Sequence, residues 1–267
     1  MQILKLINIR GILKGGSTKP LLITALNKSN REVPYVMKTY KKENIEENYT
    51  IAKEILITEL AKKFDLPVPE YGLIKVNNSQ LSKFYTLEEI NKLDNGYKFC
   101  TEYIEGTLIA NNELNKKFLD NYDYSKLFAF DTLIMNSDRG GFNNKPNLLL
   151  TDGQMLLIDH EQSLPFYSSF NKSETNYFNL FNVFYCKNHV FWNSLKKLPE
   201  KDKVHIFEEF IEILRTINFD FLNPIFEEFD KNEIVHGDKE AIFSYLYWAK
   251  NNLLHVHRTL NQKLNDR

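Results

Sequence analysis

Short apolar runs separated by polar residues fill the first part of the chain, and this pattern predicts β-strands. Runs at 2–9, 21–26 and 35–39 predict three strands, and runs at 71–76 and 98–103 predict two more. The spacing of these runs leaves room for only one helix among them. We therefore expect a β-rich first part of the molecule.

That helix is predicted between the third and fourth strands. Residues 44–64 place Ala52, Ile55 and Leu60 on one face. The segment Leu66-Pro67-Val68-Pro69 ends the helix, since a proline disfavours helical backbone at the residue before it.

The remainder of the chain has mostly helical periodicity, with helices predicted at 118–135, 202–217, 220–229 and 239–264. We therefore predict an α+β protein with two lobes. A small β-rich lobe with one helix would span residues 1–105, and a larger helical lobe that carries one hairpin would span residues 106–267.

Polar residues bracket two apolar runs that follow the helix predicted at 118–135. Asp138 lies on the loop before the first run, Asn147 opens that run, and Asp159 ends the second. Thr151-Asp152-Gly153 lies between the runs and predicts a hairpin, because Asp-Gly readily adopts a tight turn with positive φ. The hairpin would bring Asn147 and Asp159 together, with Asp138 facing both. One carboxylate that orients a hydroxyl, beside an Asn and an Asp that hold Mg²⁺, is what phosphoryl transfer requires.

A glycine-rich segment lies between the first two predicted strands. Gly15 and Gly16 let backbone amides approach an anion closely, and Ser17 and Thr18 add hydroxyl donors. The segment narrowly misses the P-loop pattern, because Ser17 stands where that motif requires lysine and a strand follows in place of a helix. A Walker-type NTPase is therefore disfavoured.

Lys38 lies at the end of the third predicted strand, where its amine can reach nucleotide phosphates as a point charge. The helix that follows carries glutamates that can hold this lysine extended. Glu59 shares the apolar face of the helix, whereas Glu54 lies at its edge. Periodicity leaves both glutamates open as the partner.

Composition and charge narrow the class of protein. The net charge of -1 provides no global basic field for nucleic acid or an anionic membrane. The 20 Phe and 14 Tyr are spread along the chain, which indicates core residues. Cys100 and Cys186 form no CxxC pair, so reduced thiols are expected. Because no signal peptide and no long apolar span is visible, we expect a cytoplasmic protein.

Together these segments resemble the HipA-like kinase family, distant relatives of the eukaryotic protein kinases and phosphoinositide kinases. The resemblance covers nearly the whole chain, and its Asn-x-Asp-Arg, Pro-Asn-Leu-Leu and Ile-Asp-His segments are specific. The matching segments are Gly15-Gly16-Ser17, Tyr35-Val36-Met37-Lys38, Glu54 to Leu60, Leu66-Pro67-Val68-Pro69, Asn136-Ser137-Asp138-Arg139, Pro146-Asn147-Leu148-Leu149 and Leu157-Ile158-Asp159-His160.

The resemblance implies a protein-kinase-like fold that binds ATP and Mg²⁺. Asp138 would orient or deprotonate the acceptor hydroxyl, and Asn147 and Asp159 would bind magnesium. Lys38 would contact the phosphates and pair with Glu54, the glutamate at the position where the family places its own.

The resemblance also assigns the nucleotide-covering segments. Gly15, Gly16, Ser17 and Thr18 would cover the phosphates, and the backbone of Glu102, Tyr103 and Ile104, with the preceding threonine, would form the hinge that reads the adenine. Phosphorylation of Ser17 or Thr18 by the protein itself, a regulation known among relatives, is chemically feasible here.

Two departures from the kinase pattern concern the metal ligands. Kinase-type loops usually place the metal asparagine five residues after the catalytic aspartate, which here is Asn143. We favour Asn147, because it precedes the apolar strand as the family's ligand does, and keep Asn143 as the alternate. Asp159-His160-Glu161 replaces the usual Asp-Phe-Gly, and His160 lacks a second His or Cys at ligand spacing, so we expect it to be structural or to support the site indirectly.

The expected activity is ATP-dependent phosphorylation of a hydroxyl, with Ser or Thr of a protein as the acceptor. One alternative is a small-molecule phosphotransferase of the aminoglycoside or choline kinase type. For that enzyme, the candidate acidic residues of an acceptor pocket are Glu208, Glu209, Glu227 and Glu228, although these more simply form a solvated helix face.

A second alternative is a nucleotide-binding pseudokinase that acts as a scaffold. Relatives of the family often act in toxin–antitoxin systems beside a DNA-binding partner. We recognise no DNA-binding segment in this chain, so an antitoxin or DNA-binding partner would be a separate protein.

Overall fold

A computed structural model of the chain describes residues 1–14, 19–110, 121–140, 146–167 and 174–265. The strands in these ranges are β1 (Ile3–Ile12), β2 (Leu21–Leu26), β3 (Glu32–Met37), β4 (Tyr71–Lys75), β5 (Tyr97–Glu102), β6 (Leu108–Ile109), β7 (Leu148–Leu150) and β8 (Met155–Leu157).

The helices of the described ranges lie mostly in the later part of the chain. They are α1 (Lys42–Glu46), α2 (Thr50–Lys63), α3 (Leu87–Lys92), α4 (Tyr124–Leu133), α5 (Glu174–Val183), α6 (Trp192–Lys196), α7 (Glu200–Lys203), α8 (Glu208–Thr216), α9 (Asn223–Lys231), α10 (Lys239–Asn251) and α11 (Leu253–Asn265). Short 3₁₀ turns occupy Asn78–Leu81 and Phe219–Leu222. The predicted mixture of α and β structure is confirmed.

The chain divides into two compact units. The first comprises Met1–Ile55, Pro69–Glu105 and Leu222–Gly237, and the second comprises Leu56–Val68, Gly106–Phe221 and Asp238–Arg267. The lobes predicted from the sequence, 1–105 and 106–267, differ from these units in the assignment of residues 56–68 and 222–237. The two-lobed arrangement remains a prediction.

The first unit contains a closed five-stranded barrel in the order β1-β2-β3-β5-β4. β1 and β4 pair in parallel, and the other neighbouring strands are antiparallel. Leu21, Ile23 and Ala25 of β2 are buried in one core cluster with Tyr35 and Met37 of β3. Because side chains alternate across a strand, this buried set specifies the pairing of β2 with β3, at whose end Lys38 lies.

The third strand begins earlier and ends earlier than the run at 35–39 predicts. It starts at Glu32 and includes Pro34, which lies opposite Thr24 in β2. Pro34 lacks an N–H, yet its carbonyl accepts a hydrogen bond from the Tyr103 amide at 2.9 Å. Backbone pairing on both sides therefore outweighs the weak strand pattern of this segment.

Three predicted helices are each divided in two. Residues 44–64 form α1 and α2, separated at Tyr49, whose φ of 53° lies in the left-handed region. Residues 202–217 form α7 and α8, and residues 239–264 form α10 and α11. At the last break the Asn252 side chain donates to the carbonyl of Trp248 at 2.8 Å, so a side-chain amide takes the bond that a continuing helix would use.

The second unit is built around α4, nine of whose ten residues are buried. The Tyr245 hydroxyl of α10 donates to the carbonyl of Leu133, the last residue of α4, at 2.6 Å. This bond satisfies one of the carbonyls that a helix end leaves without an intrahelical partner. The polar loop that begins at Asn136 therefore leaves from an anchored helix end.

The predicted hairpin is present as β7 and β8, in a small sheet with the order β6-β7-β8. Leu148 lies opposite Leu157, and Leu150 opposite Met155. The predicted turn geometry is wrong, because neither Asp152 nor Gly153 has a positive φ. The turn is closed by the Thr151 amide, which donates to the Gln154 carbonyl at 2.9 Å, and by the Thr151 hydroxyl, which accepts from the Gln154 amide at 3.1 Å.

Both cysteines are free and buried. Burial raises the pKa of the Cys100 thiol, which disfavours its reactive thiolate. Among the described residues, no helix is both long and apolar enough to cross a bilayer.

Candidate active site

Lys38 and Glu54 form an ion pair in the first unit. The Lys38 amide donates to the Phe99 carbonyl of β5 at 2.9 Å, which fixes the backbone just after β3. The Lys38 ammonium bonds the Glu54 carboxylate, whose Oε1 also accepts from the Tyr40 hydroxyl at 2.9 Å. The Lys38 side chain is 11% exposed and the Glu54 side chain 1%. A buried charge is tolerated when it is paired and hydrogen-bonded in this way.

The structure therefore distinguishes the two glutamates that periodicity left open. Glu59 pairs with Lys62, three residues along the same helix, at 3.2 Å. The side chains of Glu59 and Lys62 are partly exposed, at 25% and 34%. Glu54 is the glutamate that faces Lys38.

The four residues predicted to cover the phosphates, Gly15 to Thr18, lie outside the described residues, but the flanks of their loop are described. The Leu13 amide donates to the Pro20 carbonyl at 2.8 Å, which closes the base of the loop. Lys19 pairs with Glu89 of α3, and the Tyr85 hydroxyl donates to the Lys19 carbonyl. The loop thus leaves from an anchored base.

The predicted hinge follows β5. The Glu102 amide donates to the Glu70 carbonyl at 2.7 Å, and the Tyr103 amide donates to the Pro34 carbonyl at 2.9 Å. These two amides are already used within the barrel. An adenine would therefore have to be read by other backbone groups of the segment that ends at Ile104.

In the second unit, Asn136 connects α4 to the backbone of Asp138. The Asn136 side chain donates to Asp131 Oδ1 at 3.0 Å and accepts from the Asp138 amide at 3.0 Å. The Asn136 amide donates to the Asp131 carbonyl at 2.9 Å. One buried asparagine thus sets the position of Asp138 relative to the helix.

Asp138 and Asn147 are in direct contact. Asn147 Nδ2 donates to Asp138 Oδ2 at 2.9 Å and to the Asp138 carbonyl at 3.2 Å. With its amide nitrogen used in this way, Asn147 can offer Oδ1 to a ligand. The alternate residue, Asn143, lies outside the described residues.

Asp159 follows β8, the second strand of the same hairpin. The Ile158 amide donates to the Asn147 carbonyl at 3.1 Å, so the pairing of β7 with β8 continues up to the residue before Asp159. Asn147 has a φ of 50° and Asp159 a φ of 62°. Asn and Asp tolerate this left-handed region better than other side-chain-bearing residues. His160 follows and is buried.

Arg139 is the largest unforeseen contributor to the site. Its guanidinium donates to Asp131 Oδ2 at 2.8 Å and Oδ1 at 3.4 Å, and both side chains are at most 1% exposed. Nη1 contacts three main-chain carbonyls, those of Pro146 at 3.3 Å, Asn147 at 2.5 Å and Ile158 at 3.1 Å. The sequence contained two signals for this residue: its place in the Asn-x-Asp-Arg segment, and an aspartate that follows the apolar run 127–130 within what became α4.

His189 contacts the same aspartate from a distant part of the chain. His189 Nδ1 accepts from the Phe191 amide at 3.2 Å, so in the neutral ring Nε2 carries the proton and donates to Asp131 Oδ2 at 3.1 Å. Burial lowers the pKa of His189. Burial acts to raise the pKa of Asp131, but the Arg139 charge and the His189 hydrogen bond outweigh it and lower that pKa to about 2.

The sequence profile described as HipA-like kinase matches residues 6–223. The chain belongs to the HipA-like kinase family. No curated protein sequence matches it. Among solved structures, a Golgi casein kinase is similar over 99% of this chain and 74% of its own, with 10% identity and a TM-score of 0.44. The open conformation of CtTel1 is similar over 94% of this chain and 12% of its own, with 12% identity and a TM-score of 0.34.

Membership of the HipA-like kinases implies a kinase-type phosphotransferase, an enzyme class that uses ATP and a divalent cation. The side chains in the second unit fit such a cation. Asp159 supplies a carboxylate, and Asn147 retains an amide oxygen once its nitrogen is bonded to Asp138. Hard divalent cations bind oxygen ligands of these two kinds.

In this HipA-like kinase, Arg139 and Gly140, which follow Asp138, also lie against the backbone of residues 188–190. The Val190 amide donates to the Arg139 carbonyl at 2.8 Å. Gly140 has a φ of 110°, and a Cβ built there would lie 2.7 Å from the Val190 nitrogen. Only glycine fits this approach of two backbones.

Proposed function

We propose that this HipA-like kinase transfers the γ-phosphate of ATP, bound with Mg²⁺, to a hydroxyl group, and that the acceptor is Ser or Thr of a protein. The observation that carries the proposal is the contact of Asp138 with Asn147 at 2.9 Å, on a hairpin whose other end bears Asp159. A carboxylate that can accept a proton from a hydroxyl thus lies beside an amide that can hold a cation.

Each residue has a distinct role in this proposal. Asp138 orients the acceptor hydroxyl and takes its proton. The oxygens of Asn147 and Asp159 would hold the cation, which when bound neutralises charge on the phosphates. Asn147 also donates to Asp138, and this hydrogen bond fixes the orientation of the carboxylate.

The residues of the first unit would act on the nucleotide. Lys38, held extended by Glu54, would supply positive charge to the phosphates, and Gly15 to Thr18 would cover them. Glu102, Tyr103 and Ile104 would line the adenine. The backbone amides of Glu102 and Tyr103 already donate hydrogen bonds, so these two residues would contact the adenine through their carbonyls or side chains.

Three of the four glutamates considered for an acidic acceptor pocket already have charged partners, and the fourth, Glu227, is exposed. Glu208 pairs with His205, Glu209 with Lys126, and Glu228 with Lys231. The Glu208 and Glu209 side chains are 63% and 64% exposed, as expected of charges on solvated helix faces. A protein acceptor therefore remains the proposal.

Incubation with γ-labelled ATP and Mg²⁺ tests the function. Cell lysate protein and a panel of aminoglycosides and choline serve as parallel acceptors, and mass spectrometry locates any phosphate on the enzyme, including Ser17 and Thr18. We expect label in protein Ser or Thr that is lost when Mg²⁺ is chelated. Label in small molecules alone would contradict the acceptor assignment, and ATP binding without transfer to any acceptor would indicate a pseudokinase. A separate antitoxin or DNA-binding partner is tested by co-purification.

A further inference from the structure

A single guanidinium contacts the backbone just before β7 and just after β8. Arg139 Nη1 contacts the carbonyls of Pro146 and Asn147 at one end and of Ile158 at the other. The side chains proposed to bind the cation project from Asn147 and from Asp159, the residue after Ile158. The distance between these two backbone positions is therefore restrained by one buried side chain.

Both ligand positions have backbone conformations that need such a restraint. Asn147 and Asp159 have positive φ, an arrangement that persists only where the surroundings hold it. The Asn147 carbonyl accepts from both Arg139 and the Ile158 amide. Its peptide plane is thus held by two donors.

Asp131 and His189 in turn fix the position of the Arg139 guanidinium. The two carboxylate oxygens of Asp131 accept hydrogen bonds from Nε and Nη2 of the guanidinium. Arginine can form this paired geometry and lysine cannot. Asp131 Oδ2 also accepts from His189 Nε2, whose ring is oriented by the Phe191 amide. The restraint therefore extends through three side chains, His189, Asp131 and Arg139.

We propose that Arg139 is a positioning residue for the cation site, and that Asp131 and His189 orient it. This inference rests on the proposed function for its effect on catalysis, but its structural part is independent of turnover. Arg139 acts through the backbone of Asn147 and Asp159. Its loss should therefore weaken cation binding and loosen the hairpin ends while leaving the rest of the fold in place.

The test compares R139K with K263M. Lys263 is a matched control, since it is also a buried cation that donates to main-chain carbonyls, those of Asn182 at 3.1 Å and Phe184 at 2.7 Å. Three measurements are made on each full-length variant: Mn²⁺ affinity by water proton relaxation without turnover, amide hydrogen exchange at Ile158 and at Lys38, and the Mg²⁺ dependence of the phosphorylation rate.

For R139K we expect Mn²⁺ affinity to fall by about tenfold or more, the usual effect of removing a residue that orients metal ligands. Exchange at the Ile158 amide should accelerate, while the Lys38 amide in the barrel keeps its protection. The Mg²⁺ concentration for half-maximal rate should rise. K263M should lower thermal stability and leave the cation dependence unchanged.

A second pair of variants keeps Arg139 in place. H189Q retains an N–H near the position of Nε2 and should preserve Mn²⁺ affinity, whereas H189L should weaken it. If R139K fails to fold, this pair decides the question.

The outcomes separate the two proposals. Wild-type protein that transfers no phosphate, but loses Mn²⁺ affinity and Ile158 protection in R139K, would support the positioning role and contradict the kinase activity. An active enzyme whose R139K variant keeps wild-type affinity and exchange would overturn the positioning role alone. The same change in K263M as in R139K, or no Mn²⁺ binding by the wild type, would also overturn it.

Discussion

Asn147 donates a hydrogen bond from its side-chain amide to the carboxylate of Asp138 across 2.9 Å. The two residues are nine positions apart, a longer step than the usual kinase loop. The contact indicates that the lengthened loop still returns the amide to the carboxylate. It also determines which atom of Asn147 is available to a cation, because the nitrogen is already used.

The first prediction concerns Asp138. D138N should lower the rate of phosphoryl transfer by about 10²–10⁴, the contribution of a positioned general base, while ATP affinity changes little. Steady-state rates and calorimetric ATP binding measure the two quantities. D152N is the matched control, since Asp152 is an exposed aspartate on the turn of the same hairpin. Full activity in D138N would refute the assignment.

The second prediction concerns the Lys38–Glu54 pair. E54Q removes one partner of a largely buried ion pair, so unfolding free energy should fall by about 3–5 kcal/mol. The KM for ATP should rise, because Lys38 loses the partner that holds it extended. Urea unfolding and initial rates measure these effects. E59Q, which breaks a partly exposed pair, should cost less than about 1 kcal/mol.

A double variant separates the two effects of E54Q. K38M/E54Q removes both charges, so much of the lost stability should return while activity does not. A double variant as active as the wild type would contradict the proposed role of Lys38.

Local patterns predicted much of the fold. β2 spans Leu21–Leu26 as its apolar run predicts, and its core residues Leu21, Ile23 and Ala25 lie at alternate positions. The hairpin and the neighbourhood of Asp138 and Asn147 also followed from two apolar runs and the short segment between them. The helix breaks at Tyr49 and Asn252 could not be predicted from these patterns, because a single residue with unusual backbone geometry leaves the apolar period intact.

The supporting residues of the site could not be predicted in the same way. His189 lies 58 residues from Asp131, and its contact depends on tertiary packing that no local pattern records. Arg139 adjoins Asp138 in the sequence, yet a polar loop gives no reason to expect a fully buried guanidinium. Its role follows only from the three carbonyls it reaches.

The third prediction concerns Gly140. G140A should destabilise the protein by about 1–3 kcal/mol, because alanine at a φ of 110° is strained and its Cβ would meet the Val190 backbone at 2.7 Å. Activity should fall as well, since Gly140 lies two residues after Asp138, the proposed general base. Urea unfolding measures the first effect and initial rates the second.

G153A is the matched control for G140A. A Cβ at Gly153 has no heavy atom within 4 Å, and its φ is not positive. Its stability should stay within about 0.5 kcal/mol of the wild type. Equal losses in the two variants would show that the approach to Val190 is unimportant.

The last prediction concerns acid stability through Asp131. The pKa of this carboxyl is lowered from 3.8 to about 2 in the folded protein, because the Arg139 charge and the His189 hydrogen bond outweigh burial. A depressed pKa adds stability above the unfolded value and loses it as pH falls towards the folded value. About 2 kcal/mol should therefore disappear between about pH 4 and pH 2.

Glu89 titrates in the same interval, because the bonds from Lys19 and the Thr86 amide lower its pKa to about 2. The measurement is therefore made with E89Q as the background, by urea unfolding with and without D131N. At neutral pH the E89Q/D131N variant should be much less stable than E89Q alone, because D131N leaves the Arg139 charge buried without a counter-ion. The gap should narrow by about 2 kcal/mol as pH falls through the interval, since protonation of Asp131 removes the same charge that the substitution removes. A gap that stays constant down to pH of about 2 would contradict a depressed pKa at Asp131.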